Sequence, residues 1–107
     1  MLDIYSVMLS VLSDARPVLQ QIGRHDRSLE DQMRRAGASV ALNIAEGCSL
    51  RGKSRALRYS TALGSARETL ACLQVAQALG YVSVLDASLL DRIDRVAATL
   101  VKLMRVG

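Results

Sequence analysis

Apolar residues recur at intervals of three and four along almost the whole chain, and this period constrains the fold more than any other feature. It places an apolar stripe along one face of an α-helix. Helices are therefore predicted over residues 3–22, from 27 or 28 to 47, over 54–79 and from 86 onwards. The chain has no Trp or Phe and is rich in Ala and Leu, which favours helix over sheet. Short connections between four helices predict an all-α fold, a single antiparallel up-down-up-down four-helix bundle over residues 1–107.

Four residues mark the expected helix boundaries. Pro17 lies inside the first predicted helix and deprives it of a hydrogen bond, which predicts a kink near residues 13–14 or two shorter helices. Gly23 and Gly80 predict helix C-termini, and Asp86 predicts an N-cap. We expect these positions to divide the chain into its helices.

Residues that support catalysis are scarce. His25 is the only histidine and is expected in an exposed connector, and the chain has no phosphate-binding glycine loop or nucleophile elbow. Three Glu and no Glu-x-x-His pair leave a metal site inside a bundle without ligands. Cys48 and Cys72 lack the spacing of metal ligands and are expected to be free thiols. The sequence predicts a protein that is not an enzyme and that uses no metal and no cofactor.

The sequence also predicts a cytoplasmic location. No run approaches the roughly 20 uncharged apolar residues that cross a bilayer. Asp3 lies where a signal peptide would be basic, and no cleavage motif of small residues follows. We therefore expect no membrane partner.

Positive charge is concentrated in the middle of the chain. The net charge is +4, and residues 34–67 hold seven of the 14 basic residues against Glu46 alone. Most of the seven lie around the turn between the second and third predicted helices, where a cluster of cations suits phosphate. A solvated surface in an Arg-rich protein is the alternative interpretation. The candidate nucleic-acid contacts are Arg34, Arg51, Lys53, Arg55 and Arg58.

The second predicted helix carries a polar ridge beside its apolar stripe. At 100° per residue, five polar side chains fall within an arc of about 80°. If the helix ends in a tight turn, residues whose numbers sum to about 100 face each other, which predicts an ion pair between Arg35 and Glu68. Polar groups inside a bundle fix the register of its helices, so a structural role is favoured over a ligand site. The ridge consists of Gln32, Arg35, Ser39, Asn43 and Glu46.

The third and fourth predicted helices carry more apolar surface than a lone bundle needs. The third has a heptad-like seam and a second stripe of small residues that runs from Ala62 to Ala76. The fourth adds Leu90, Ala97 and Met104 beside its main seam. This surplus predicts self-association. The alternative is a broad core-facing surface within one chain.

The motif that ends the second predicted helix resembles that of a known family. The run Asn43-Ile44-Ala45-Glu46-Gly47 follows Gln32, Arg34-Arg35-Ala36 and Ser39-Val40, and precedes Ala62, Gly64-Ser65, Glu68 and Leu79-Gly80-Tyr81. This combination resembles the bacterial four-helix-bundle proteins first noticed in intervening sequences of 23S rRNA genes, and the likeness covers nearly the whole chain. The resemblance implies that Ser39, Asn43, Glu46 and Gly47 form a characteristic helix end, with Ser65 and Glu68 as its counterpart on the next helix.

The resemblance also implies an assembly and a function. The same superfamily includes the accessory variability determinant of diversity-generating retroelements, which forms a barrel-shaped homopentamer and binds its reverse transcriptase and nucleic acid. We therefore predict a non-enzymatic homo-oligomer, with five copies as the expected number, that acts as a nucleic-acid-binding accessory protein through its basic turn. The alternative is a protein-interaction scaffold, such as a reverse-transcriptase accessory subunit without direct nucleic-acid binding. RNA and DNA both remain open as ligands.

Overall fold

The chain folds into α-helices joined by short connections. In a computed structural model, residues 2–106 are described, so Met1 and Gly107 of the predicted domain lie outside the described residues. The described part has five helices and no strands, which confirms the all-α prediction. The predicted count of four is not reproduced, because the first predicted helix is divided at Ala15. The helices are α1 Asp3–Asp14, α2 Arg16–His25, α3 Arg27–Cys48, α4 Gly52–Ala78 and α5 Ala87–Val106.

Pro17 causes the division between α1 and α2. In a continuous helix the N–H of residue 17 would bond the Ser13 carbonyl, but proline has no N–H. The Ser13 carbonyl instead accepts a hydrogen bond from the Arg16 side chain, Nε to O 3.3 Å. Pro17 falls in the first turn of α2, where a missing N–H costs no hydrogen bond. The predicted alternative of two shorter helices is confirmed, with the break one residue later than expected.

Gly23 was expected to end a helix, and that expectation is wrong. α2 continues to His25, and Asp26 alone connects it to α3. The Asp26 carboxylate accepts a hydrogen bond from the Leu29 N–H at 2.9 Å and so caps α3. A Cβ at Gly23 would meet the Glu30 carboxylate. A larger residue at this position would therefore displace the Glu30 carboxylate, and the glycine does not mark the helix end.

Gly80 and Asp86 mark helix ends as predicted. The N–H groups of Gly80 and Tyr81 bond carbonyls of the last turn of α4 at 3.0 and 2.9 Å. This pattern places a left-handed residue just after the helix, and Gly80 has φ of 78°. Asp86 precedes α5, and its carboxylate accepts a hydrogen bond from the Ser88 N–H at 2.8 Å.

A hydrophobic core draws on all five helices. α3 packs most extensively against α4, which also packs on α5, while α1 contacts α3 and α5 and α2 packs on α3. α4 has 27 residues, which makes it about 40 Å long and equal to the 42 Å length of the molecule. The largest fully buried side chains are Met8, Ile22, Ile44, Leu73, Ile93 and Leu100.

Two arginines of α5 hold α1 antiparallel to it. Arg92 donates to the Ser10 hydroxyl at 2.8 Å and to the Asp14 carboxylate at 2.9 Å. Arg95 pairs with Asp3, at the opposite end of α1 from Asp14. Exposed pairs of this kind stabilise little, so their contribution is to the register of the two helices.

The second stripe of α4 is buried inside the chain, and the additional apolar residues predicted for the last helix are half-buried. Ala62 and Ala76 of α4 have no exposed surface. Leu90, Ala97 and Met104 of α5 are half-buried against the core. Because α4 packs on both α3 and α5, its two stripes find partners within one chain. The stripe of α4 therefore fits the alternative of a broad core-facing surface, and self-association stays a prediction.

α3 and α4 approach each other closely at Gly47. This residue is buried, and a Cβ added to it would collide with the ring of Tyr59, with the ring carbon Cζ only 3.2 Å away. Tyr59 is itself 3% exposed. Glycine is required at this position because an aromatic ring occupies the space that a side chain would fill.

Replacing Gly47 with Ala is expected to lower the free energy of unfolding by about 1–3 kcal/mol, because the new methyl group has to displace the Tyr59 ring. Gly64→Ala is the matched control. An added Cβ at this exposed position of α4 meets nothing within 4 Å, so the substitution is expected to raise stability by about 0.5–1 kcal/mol through helix propensity. Urea denaturation followed by circular dichroism measures both values. Equal changes in the two variants would contradict the close approach at Gly47.

Candidate nucleic-acid interface

The basic turn connects the two longest helices. Residues 49–51 link α3 to α4, so the turn is shorter than the gap between the predicted helices, which end at 47 and begin at 54. Arg51 is extended, with φ of −136°. Gly52 follows with φ of 59°, a left-handed conformation that favours glycine. We call residues 48–55 the hairpin tip.

Arg55 holds the hairpin tip together. Its Nε donates to the Leu50 carbonyl at 2.7 Å and to the Gly47 carbonyl at 3.3 Å. Carbonyls at a helix C-terminus lack intrahelical donors and lie at the negative end of the helix dipole, so a guanidinium there is favourable. The side chain is half-buried. Arg55 was predicted to contact nucleic acid, but its guanidinium bonds the backbone of the hairpin tip and stabilises the turn.

Two other predicted contacts are paired with carboxylates. Arg58 lies 3.1 Å from Glu46 across the hairpin, with both side chains about half exposed. Arg34 lies 3.0 Å from Glu30, one turn away on α3. Arg34 is also 14 residues before the end of α3, which separates it from the hairpin tip by about 21 Å. The structure does not bring Arg34 together with the other four cations.

Arg51 and Lys53 remain as solvent-facing cations at the tip. Both are exposed, and within residues 2–106 neither has a carboxylate oxygen within salt-bridge distance. They flank Gly52 at the point where the chain reverses direction. We call Arg51 and Lys53 the tip pair.

Three residues of the polar ridge of α3 contact α4 as the sequence predicted, namely Gln32, Ser39 and Glu46. The Ser65 hydroxyl donates to the Ser39 hydroxyl at 2.8 Å. Asn43 Nδ2 donates to the Ser39 carbonyl at 2.9 Å and to its hydroxyl at 3.1 Å. Gln32 Nε2 donates to the Glu68 carboxylate at 3.3 Å. These side chains consequently form a line of hydrogen bonds along the hairpin.

The predicted ion pair between Arg35 and Glu68 is wrong. Arg35 pairs with Asp31 on its own helix at 3.0 Å, and its side chain is 81% exposed. At 100° per residue, Arg35 lies about 40° beyond Ser39 on the side away from the core. This rotation points it to solvent and leaves Glu68 to Gln32.

Tyr59 and Cys72 are buried ionisable groups of α4. The Tyr59 hydroxyl donates to Cys48 Sγ at 3.9 Å. Burial raises the pKa of Tyr59 above its ordinary value, its hydrogen bond to Cys48 adds to the rise, and the charge of Arg55 opposes it. Burial also raises the pKa of the Cys72 thiol, and Glu68 raises it further. The stability that Tyr59 contributes is therefore present below the pKa of an unfolded tyrosine and is lost as the pH rises through the folded value.

Sequence reasoning missed the pairing of Gly47 with Tyr59. A signal was available, because Tyr59 is the only aromatic residue in the third predicted helix and lies twelve positions after Gly47. Tyr59 is one position of the heptad-like seam of the third predicted helix, and that seam does not indicate which residue the ring contacts.

The remaining candidates for chemistry are dispersed. His25 ends α2 and stacks on Tyr81 with ring centroids 5.1 Å apart. Among the described residues, no three His, Cys, Asp or Glu side chains are grouped closely enough to hold a metal ion. Both Cys48 and Cys72 are free thiols, as predicted. No helix in the described part combines the length and the apolar character needed to cross a membrane.

Comparison with known proteins identifies the family. The model of the 23S rRNA-intervening sequence protein family matches residues 2–102. The chain belongs to this family. A crystal structure of a protein of unknown function from the S23 ribosomal protein family of Bacteroides thetaiotaomicron is similar, with a TM-score of 0.79 and 15% identity over 94% of this chain and 97% of that one. That identity shows the fold alone. No curated protein matches the sequence.

In this intervening-sequence protein, Arg55→Ala is expected to lower the free energy of unfolding by about 1–2 kcal/mol, because the Gly47 carbonyl at the end of α3 and the Leu50 carbonyl in the turn lose a charged donor. Arg51→Ala and Lys53→Ala remove the same charge from the tip pair and are expected to change stability by less than about 0.5 kcal/mol. Urea denaturation of the three variants tests this division. A decrease in the free energy of unfolding for Arg51→Ala as large as that for Arg55→Ala would show that the tip pair also stabilises the turn.

Proposed function

We propose that this protein is a non-enzymatic, homo-oligomeric accessory protein that binds RNA or DNA through its hairpin tip. The tip pair, Arg51 and Lys53, makes the leading phosphate contacts. The observation that carries the proposal is that both cations are exposed at the reversal point of a long helical hairpin, away from the carboxylates that neutralise Arg34 and Arg58.

The rigid turn favours phosphate binding by the solvent-facing cations of the hairpin tip. Arg55 fixes the turn through two backbone carbonyls. The turn is therefore ordered before any ligand arrives, and binding need not order the backbone that presents Arg51 and Lys53. Only the two flexible side chains lose conformational freedom.

The contacts differ in rank. Arg58 reaches phosphate after it releases Glu46, so it contributes less than the tip pair. Arg34 lies on a distant part of α3 and takes no part in the tip contact. Arg55 contributes positive potential while its guanidinium holds the turn.

The arrangement of the helices supports a four-helix bundle in which α1 and α2 together act as one of the four helices. The two are separated only by Ala15, and both pack on α3. The α3–α4 hairpin is then the long unit of the bundle, and the tip lies at its end.

Two cations per chain make weak contacts, so the proposal depends on several copies. Counterion release gives a salt slope of about −0.9 for each neutralised phosphate on B-DNA. One tip pair therefore predicts a slope near −2, and several tips on one nucleic acid predict a slope several times steeper. Exposed leucines supply a surface for self-association, with Leu42 on α3 at 62% exposure and Leu57 on α4 at 66%.

Reversal of the tip pair, Arg51→Glu with Lys53→Glu, is expected to weaken binding to RNA and DNA by at least tenfold at low salt, because it replaces attraction to phosphate with repulsion. The matched control is Arg24→Glu with Arg27→Glu, which changes the net charge equally at the opposite end of the hairpin, where both side chains are exposed. Fluorescence anisotropy across a salt series measures affinity and slope. Equal weakening by the two double variants would place binding on net charge and not on the tip.

The mass in solution tests the oligomer. Five copies, the number that the resemblance implies, have a mass of about 58 kDa, five times the 11.6 kDa chain. Leu42→Glu with Leu57→Glu is expected to give the monomer, because charge on an apolar contact opposes association. Val84→Glu is the control, since Val84 is 80% exposed and lies off the hairpin. An 11.6 kDa species at micromolar concentration for the unmodified protein would refute the oligomer.

The second candidate function is a protein-interaction scaffold that binds no nucleic acid, such as a reverse-transcriptase accessory subunit. The exposed Leu42 and Leu57 favour it, since they offer an apolar surface to a partner protein. The stripe of small residues does not, because Ala62 and Ala76 are buried within the chain. The scaffold is favoured if partner capture survives reversal of the tip pair and is lost in the Leu42 and Leu57 double variant.

A further inference from the structure

A cavity of about 220 Å³ lies where α1, α2, α3, α4 and α5 meet. It arises because neighbouring helices present small residues to the same space: Ala15 at the break between α1 and α2, Gly37 and Ala38 on α3, and Thr69 on α4. A Cβ at Gly37 would lie 2.8 Å from a terminal methyl group of Leu12, so a side chain there has to displace Leu12. The walls are otherwise apolar. We call this space the break cavity.

The mouth of the break cavity is basic. Among the residues that line it, Arg16 and Arg34 are the exposed ones, so its solvent-facing rim carries two arginines. None of its described lining residues is an Asp or a Glu. The nearest carboxylate partner is Glu30, which pairs with Arg34 at 3.0 Å and carries one negative charge against two positive ones. The mouth therefore has a net positive charge.

The two guanidinium groups are held in place while keeping free N–H groups. Arg16 uses its Nε to bond the Ser13 carbonyl that Pro17 leaves without a helical partner. Arg34 is held through one Nη by Glu30. Each guanidinium has five N–H donors, so both keep donors for an anion at the mouth.

We propose that the break cavity binds a small aliphatic carboxylate, with its hydrocarbon chain in the cavity and its carboxylate between Arg16 and Arg34. An apolar cavity of about 150 Å³ holds benzene in another helical protein. By the same scale, 220 Å³ suits a chain of about six to eight carbons. The carboxylate is specified by charge, because an apolar cavity without charged rim residues would take a neutral hydrocarbon equally well. This site is separate from the hairpin tip, and its test does not depend on nucleic-acid binding.

The methionines provide an internal control for the test. Met8 and Met33 line the cavity and are buried, whereas Met104 does not line it. The protein is labelled with ¹³C at its methionine methyl groups and titrated with sodium octanoate below the concentration at which micelles form. Saturable shifts of the Met8 and Met33 signals with Met104 unchanged are expected. No shift at Met8 and Met33, or equal shifts at all three, would overturn the proposal.

Three comparisons test the specificity. Octan-1-ol, which has the same chain length without the charge, is expected to bind about fivefold more weakly. Arg16→Gln with Arg34→Gln is expected to lower the affinity for octanoate to that for octan-1-ol, while Arg67→Gln on the exposed surface of α4 leaves it unchanged. Ala38→Leu, at a half-buried lining position, is expected to abolish the shifts by filling the mouth. Circular dichroism verifies that each variant is folded.

Equal affinity of the unmodified protein for octanoate and octan-1-ol would overturn the assignment of the two arginines. Because Arg16 and Arg34 are exposed, the variants that decide this point leave the core intact. Octanoate binding that persists in a folded Ala38→Leu variant would place the ligand elsewhere and would also overturn the proposal.

Discussion

The contact between Gly47 of α3 and the ring of Tyr59 on α4 sets the spacing of the helical hairpin, and the rest of the structure depends on that hairpin. Two antiparallel helices joined by three residues have little freedom once one close contact is fixed. The Ser39 and Ser65 hydroxyls then meet at 2.8 Å, and Gln32 lies opposite Glu68 at 3.3 Å. Hydrogen bonds of this kind stabilise modestly, but each loses its partner if one helix rotates or slides. They therefore specify the register that apolar packing alone leaves degenerate.

The run from Asn43 to Gly47 gains a physical explanation from this geometry. Asn43 bonds Ser39 one turn earlier, Glu46 pairs with Arg58 across the hairpin, and Gly47 admits the Tyr59 ring. Each polar or glycine position of the motif makes a contact at the α3–α4 boundary or supports one. The contacts that close the hairpin therefore account for the polar and glycine positions of the motif. The hairpin also divides the basic residues into two groups. Arg55 and Arg58 bond the Leu50 carbonyl and Glu46 within the hairpin, whereas Arg51 and Lys53 are exposed to solvent.

Pro17 determines the structure at the break between α1 and α2. Its missing N–H divides one helix into α1 and α2, and the division lies in the wall of the break cavity. The free carbonyl that results is bonded by Arg16, which holds that side chain at the mouth. A single local defect therefore accounts both for the helix count and for the position of a basic rim over an apolar space.

Local periodicity determined the all-α class, the approximate extent of each helix, the end at Gly80, the cap at Asp86 and the face of α3 that meets α4. These features follow from contacts within a few residues, which a sequence displays directly. Only the tertiary structure decided that α2 continues past Gly23, that Glu68 meets Gln32 and not Arg35, and that the second stripe of α4 is covered by its own chain. It also decided which basic residues form bonds within the hairpin. These outcomes depend on the rotation and separation of helices distant in sequence, and a difference of about 40° about a helix axis is enough to exchange one partner for another.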